Sequence, residues 1–290
     1  MAKATSESVG VVFVGAGARG AYEAGAFAEL LPVLEAHGRR PTVFVGTSAG
    51  AINAVLFASF AHLPAQEAAD RVLALWRQVE REQVIRPVLP SGLVAVARYL
   101  AQVAGLNAPI KPAIALGVDR IILLATDPIV QTASASTAID SSPDVYAAIA
   151  GVLHNTLVDR MVEDVRTLGK INELLNGSTQ EHSALRASYG KRGLRPIPYL
   201  FVGTSRAGDL GQLAREVFQA RYGSGRWLRR ALDFPVLNQL LGGSRKTHGE
   251  LLSYLFFEPE FIQRAITMGQ QDAQRLLAQA PDGVPWRMTT

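Results

Sequence analysis

The sequence predicts a three-layer α/β protein: a central, mostly parallel sheet between helices, with a helical C-terminal portion. Short β-branched runs alternate with stretches of helical spacing through the first two thirds of the chain. The strand-like runs are apolar at consecutive positions, as in strands covered on both faces. Only helical patterns occur after residue 206. At 290 residues and 48% hydrophobic, the chain can bury one large core. No linker rich in Gly, Ser or Pro interrupts it, so residues 1–290 are expected to form one domain, with a sheet-containing core over about 9–205 and the helical portion over about 206–280.

From the N-terminus, "VGVVFVG" at 9–15 is the first strand, and "AYEAGAFAELLPVLEAHG" continues as a helix up to a Gly38 cap. A second strand covers 42–45, a small-residue helix covers 49–61, and "PAQEAADRVLALWRQVERE" is amphipathic. "RIILLATDP" at 120–128 is a third strand, 145–176 is helical, and "IPYLFVGTS" at 197–205 is the fourth strand. Helices are expected at 209–222, 226–241, 248–256 and 259–279, and after them an irregular tail.

Bulk properties remove several function classes. The formal net charge is +4 and the basic residues are dispersed, whereas nucleic-acid binding asks for a concentrated basic stripe. The small excess suits weak attraction to an anionic surface such as phospholipid. With no cysteine, disulfides, a thiol nucleophile and thiolate metal ligands are excluded. The apolar run from Val9 is broken by Arg19 and Glu23, and later ones by Asn53 and Arg98, so neither a secretory signal nor a bilayer span is expected. The expectation is a cytoplasmic protein, peripheral at the membrane.

Two motifs carry the chemistry. Gly46-Thr47-Ser48-Ala49-Gly50 joins the second strand to a helix in the pattern G-x-S-x-G. A serine hydroxyl becomes a useful nucleophile when exposed at a sharp strand-to-helix turn, and flanking glycines leave room for backbone to pass close by. The plainer alternative is a helix N-cap. "FVGTS" recurs at 201–205, but Arg206 and Ala207 come after Ser205, so the second copy lacks the trailing glycine. The other motif is Gly15-Ala16-Gly17-Ala18-Arg19-Gly20, between the first strand and first helix. Such a loop offers backbone N–H groups at a helix N-terminus, suited to a pyrophosphate or to the oxyanion of acyl transfer. A dinucleotide site expects an acidic residue ending the second strand. Gly46-Thr47-Ser48 stands there instead, which favours the oxyanion.

These two motifs, in this order and spacing, resemble the patatin-like phospholipases, bacterial members included. The resemblance implies a lipid acyl hydrolase: Ser48 as nucleophile, Gly15 to Gly20 as oxyanion loop, a serine–aspartate dyad without histidine, and no metal or organic cofactor. It implies a lipid or acyl-ester substrate and no nucleic acid. "LNAPIKPAIALGVDRIILLATDP" at 106–128 is similar to the segment after the family's catalytic aspartate. In the family that aspartate lies in an Asp-Gly-Gly or Asp-Gly-Ala turn just before the position of Asn107. Here Ala101, Gln102 and Val103 occupy the matching place, and the interval from Ser48 to Asn107 is too short for the usual substrate-binding stretch. A block is therefore expected to be missing near 98–105, with impaired turnover as its consequence. Asp127 is the substitute base to weigh, against an ordinary Asp-Pro turn. His248 is the histidine to test for a triad. Two further readings stand beside the hydrolase: a catalytically silent lipid-binding protein, and a dinucleotide-binding protein.

Overall fold

The computed structural model describes residues 7–79, 110–129, 160–176, 195–222, 246–281 and 283–289. Four strands form one sheet: β1 (Val9–Phe13), β2 (Val43–Gly46), β3 (Arg120–Leu124) and β4 (Tyr199–Val202). Their order is β2-β1-β3-β4, and every pairing is parallel. The described helices are α1 (Gly20–Ala36), α2 (Ala49–Ser59), α3 (Ala65–Arg77), α4 (Ile110–Ala115), α5 (Arg160–Asn176), α6 (Asp209–Tyr222), α7 (Lys246–Leu255) and α8 (Pro259–Leu277). A 3-10 turn, Gly17–Arg19, leads into α1.

The period of two along each strand sorts side chains into two cores. Val9, Val11, Phe13, Ile122, Leu124, Leu200 and Val202 face α1, α2, α3, α6, α7 and α8. Val12, Val14, Ile121, Leu123, Tyr199 and Phe201 face α4 and α5, meeting Ile110, Ala113, Val165 and Leu168. Because both faces are covered, β1, β3 and β4 carry apolar side chains without alternation. The result is the expected three-layer α/β arrangement. β2, at the sheet's end, is only half-buried along its length.

Helix α1 is apolar around its circumference because it is covered on several sides. A Cβ on Gly25 would lie 2.2 Å from the Ile266 carbonyl oxygen, and one on Gly269 would lie 2.1 Å from that of Tyr22. Two glycines thus let α1 and α8 cross backbone to backbone. Where α1 ends, Gly38 takes φ +66°, its N–H bonds the Glu35 carbonyl at 2.9 Å, and Arg39 N–H reaches that of Leu34 at 2.9 Å. This is the glycine closure expected there.

Several boundaries differ from expectation. β3 stops at Leu124, since after Ala125 N–H bonds the Val202 carbonyl at 2.9 Å the chain turns at Thr126-Asp127-Pro128. β4 runs only from Tyr199 to Val202, and Gly203 onward forms the turn into α6. The tail expected to be irregular makes one antiparallel bridge, Tyr199 with Arg287, through two 2.8 Å hydrogen bonds. The helix expected at 226–241, the first part of the one expected at 145–176, and the interval 98–105 lie outside the described residues.

Candidate active site

All four strands end at one edge of the sheet, and β1 lies next to both β2 and β3. The chain after β1 moves outward to β2, then crosses to β3 and β4 on the other side. Ligands of open parallel sheets bind at the carboxyl edge where the strand order reverses in this way. The glycine loop and the serine turn both emerge there, from neighbouring strands.

Ser48 lies two residues after β2 and just before α2. Its backbone takes φ 50° and ψ −127°, and it is the one non-glycine residue at positive φ among the described residues. Such a conformation costs on the order of 1–3 kcal/mol and persists only where the surroundings impose it. They are visible here. Thr47 N–H bonds the Phe13 carbonyl at 3.2 Å, the Thr47 hydroxyl bonds that of Val14, and Gly50 N–H returns to that of Thr47 at 2.8 Å. A Cβ on Gly46 would meet the Gly50 carbonyl oxygen at 2.2 Å, and one on Gly50 would meet that of Phe13 at 2.5 Å. The N-cap alternative fails on two counts: the residue is not in the extended region a cap adopts, and its hydroxyl makes no capping hydrogen bond. Ser48 is half-buried, and Ala49 behind it is buried.

The glycine loop touches this turn. Gly15 has φ +74°, and a Cβ there would lie 2.0 Å from the Thr47 carbonyl oxygen. Gly17 has φ +59° and is pressed against the Tyr254 carbonyl, 2.1 Å from where a Cβ would stand. The loop's N–H groups divide into two sets. Gly15 N–H donates to Glu23 Oε1 at 2.8 Å, Arg19 N–H donates to the Ala16 carbonyl at 3.2 Å, and Gly20 N–H is turned to the carbonyls of Gly17 and Ala18. Those of Ala16, Gly17 and Ala18 have no hydrogen-bond partner among the described residues, and Gly17 is the loop residue that solvent reaches. Three of the six positions expected to supply oxyanion donors thus keep a backbone N–H without a partner among the described residues.

Arg19 does not point its charge at this loop. Its side chain is 1% exposed, with Nε donating to Ser253 Oγ at 2.7 Å and Nη2 to the Glu250 carbonyl at 3.2 Å. It pairs with the carboxylates of Glu250 and Asp127, the latter at 3.5 Å, and stacks over the Tyr254 ring at 4.0 Å. Burial opposes its charge, but Tyr254, Glu250 and Asp127 more than offset this and raise its pKa above the ordinary value. Burial likewise pushes the Tyr254 hydroxyl up to about 12. Arg19 is thus an anchor between the loop and α7. Asp127, the substitute base, is buried beside that guanidinium.

The second "FVGTS" builds nothing comparable. Ser205 Oγ donates to Asp272 Oδ1 at 3.0 Å, and Arg275 reaches both residues. Thr204 Oγ1 bonds the carbonyls of Thr126 and Arg206, at 3.3 and 3.0 Å. The pentapeptide closes a strand end onto α8. His248 lies in α7, and no group of three or more His, Cys, Asp or Glu able to hold a metal occurs among the described residues.

Sequence reasoning missed Glu23 and Asn53. Both are 0% exposed, and Asn53 Nδ2 donates to the Gly20 carbonyl at 2.9 Å and to Glu23 Oε2 at 3.3 Å. The Trp76 indole donates to Asn53 Oδ1 at 2.7 Å. The available signal was polarity out of place, since each stands alone in an apolar stretch, "AYEAGAF" and "GAINAVL".

The parallel sheet thus carries a glycine loop after β1 and a strained serine turn after β2. The family model for patatin-like phospholipases matches residues 11–192, more than half of the chain. The chain belongs to the patatin-like phospholipase family. This membership supports a phospholipase-type lipid acyl hydrolase function in general, with a lipid as substrate. No curated protein and no solved structure matches the chain. No helix among the described residues is long and apolar enough to cross a membrane.

Proposed function

We propose that this patatin-like protein is a serine-dependent carboxylic ester hydrolase of the phospholipase A type, with Ser48 as its nucleophile. The observation that carries the reading is the backbone of Ser48, a strained serine whose hydroxyl makes no cap, held against a loop with unpaired N–H groups. Ser48 Oγ attacks the ester carbonyl carbon, and the carbonyl oxygen becomes an oxyanion facing the N–H groups of Ala16, Gly17 and Ala18. Collapse expels the alcohol with a proton and leaves an acyl-serine, which water then hydrolyses. The site works on lipid presented at a membrane surface, from the cytoplasmic side.

Among the described residues, no carboxylate or imidazole hydrogen-bonds the Ser48 hydroxyl to accept its proton. The residues matching the family's Asp-Gly-Gly turn, Ala101, Gln102 and Val103, carry no carboxylate, and Asp127 is committed to Arg19. Solvent takes the proton, so turnover stays at the residual scale that oxyanion donors and binding support, roughly 10³–10⁴ over water. A second reading, a silent lipid-binding protein, draws on the same Arg19–Asp127 pair.

Hydrolysis of a short acyl ester and of phospholipid vesicles, by the wild-type chain and by Ser48→Ala, separates the two. The hydrolase reading expects slow turnover that disappears in Ser48→Ala while vesicle binding persists. Equal rates in both proteins, with vesicle binding retained, would establish the silent reading.

A further inference from the structure

Glu23 is a carboxyl group that ester hydrolysis at Ser48 does not use. It sits in the first turn of α1, fully buried, between the loop after β1 and helix α2. One oxygen accepts the Gly15 N–H at 2.8 Å, and the other faces Asn53 Nδ2 at 3.3 Å. Asn53 is one turn into α2, the helix that Ser48 begins, and it also holds the Gly20 carbonyl at 2.9 Å. Trp76 of α3 fixes the amide from behind. The three side chains thus join the start of the loop, the start of α1 and the helix carrying the serine.

We propose that Glu23 is a positioning residue that, through Asn53, locks the oxyanion loop to the helix carrying Ser48. The inference rests on the reading of Ser48 as nucleophile, and it gives the Gly15 N–H a different task from that of its neighbours. With Gly15 turned inward to Glu23, the N–H groups of Ala16 to Ala18 are the ones left for an oxyanion in this reading. The alignment matters because a displacement of about 1 Å between a nucleophile and its oxyanion donors can cost on the order of 100-fold in rate. Glu23 touches no reacting atom. Its effect is exerted through the backbone it holds.

The chemistry of the site also sets the protonation state. Facing Glu23 are the Gly15 N–H from the loop and the Asn53 amide from α2, while the nearby Val14 N–H donates to the Leu124 carbonyl at 3.2 Å. Arg19, at the entry to α1, turns its guanidinium to Asp127 and Glu250. Burial without a charged partner pushes the Glu23 carboxyl up to about 8, so it is neutral at pH 7. A neutral acid suits a place behind an oxyanion loop, since a carboxylate there would oppose the negative charge that develops on substrate.

Two readouts test the inference, one of them independent of catalysis. Hydrogen exchange is measured over residues 14–19 and 47–53 in the wild type, in Glu23→Gln, which keeps an acceptor for Gly15, and in Glu23→Leu, which keeps the bulk alone. Exchange in Glu23→Leu should rise in both segments with β3 and β4 unchanged, and Glu23→Gln should match the wild type. Wild-type protection of residues 14–19 in Glu23→Leu overturns the proposal. The rate of Ser48 labelling by a fluorophosphonate should fall about 10–100-fold in Glu23→Leu and little in Glu23→Gln at pH 7. The ratio of wild-type to Glu23→Gln rates should drop as pH rises through 8. Equal rates in wild type and Glu23→Leu also overturn it. Absence of labelling in the wild type rejects Ser48 as nucleophile, and the exchange data still judge the lock.

Discussion

Ser48 and Ser205 end the same pentapeptide, and only Ser48 departs from ordinary backbone geometry. The difference lies in the two residues after each serine. Gly50 lets the chain turn back over β1, whereas Arg206 and Ala207 let α6 start conventionally, with Arg206 N–H on Asp209 Oδ2 at 2.9 Å. Spacing encodes this, so the elbow was legible in the sequence. The partners of Arg19 were not, because Asp127, Glu250 and Ser253 lie 108 to 234 residues away. The same holds for the Gly15–Glu23–Asn53 contact, which pairs α1 with α2. Two predictions belong here. Arg19→Met removes the guanidinium that pairs with Asp127 and Glu250 and should cost about 3–5 kcal/mol in denaturant unfolding, the scale of breaking a buried pair. Asp127→Asn, by contrast, should leave labelling of Ser48 nearly intact, and loss of labelling there would reveal a relocated base.

Glu23 gives the stability of the fold a pH dependence with a definite sign. Its folded-state pKa, about 8, stands above the ordinary 4.5 because burial disfavours the charge. The native state therefore holds this proton where the unfolded chain has released it. The associated stability is complete below about pH 4.5 and is lost as pH rises to about 8, by up to about 1.4 kcal/mol per pH unit. The difference in unfolding free energy between the wild type and Glu23→Gln should shift against the wild type over that window and level off above it. A flat difference would mean that Glu23 ionises normally.

At the scale of elements, the fold depends on how closely α1 approaches α8. Consecutive apolar runs made the strands legible, and helical spacing gave α6 and α8 nearly to their ends, whereas α3 stops at Arg77, short of the stretch expected to be helical. What the pattern could not show was which helices touch. Gly25 and Gly269 each face a carbonyl of the other helix at a distance no Cβ accommodates. Gly25→Ala and Gly269→Ala should each force the helices apart and cost about 1–3 kcal/mol by chemical denaturation, despite alanine's better helix propensity. Stabilisation by either change would mean that the two helices cross less closely.

At the scale of the whole molecule, the helix that starts after Ser48 shows apolar side chains to solvent. Ile52 and Val55 of α2 are 56% and 64% exposed, and the adjacent β2 is only half-buried. Contiguous exposed apolar area favours association and binding of apolar probes. The wild-type chain should bind an apolar fluorescent dye, and the double variant Ile52→Gln with Val55→Gln should bind less without loss of stability beyond about 0.5 kcal/mol.

The central claim, that Ser48 is a formed nucleophile facing an oxyanion loop, is tested most directly by locating the adduct of a fluorophosphonate probe by mass spectrometry. Slow, stoichiometric modification of Ser48 alone, absent from Ser48→Ala, is the predicted result. Modification of Ser205, or labelling that persists in Ser48→Ala, would contradict it.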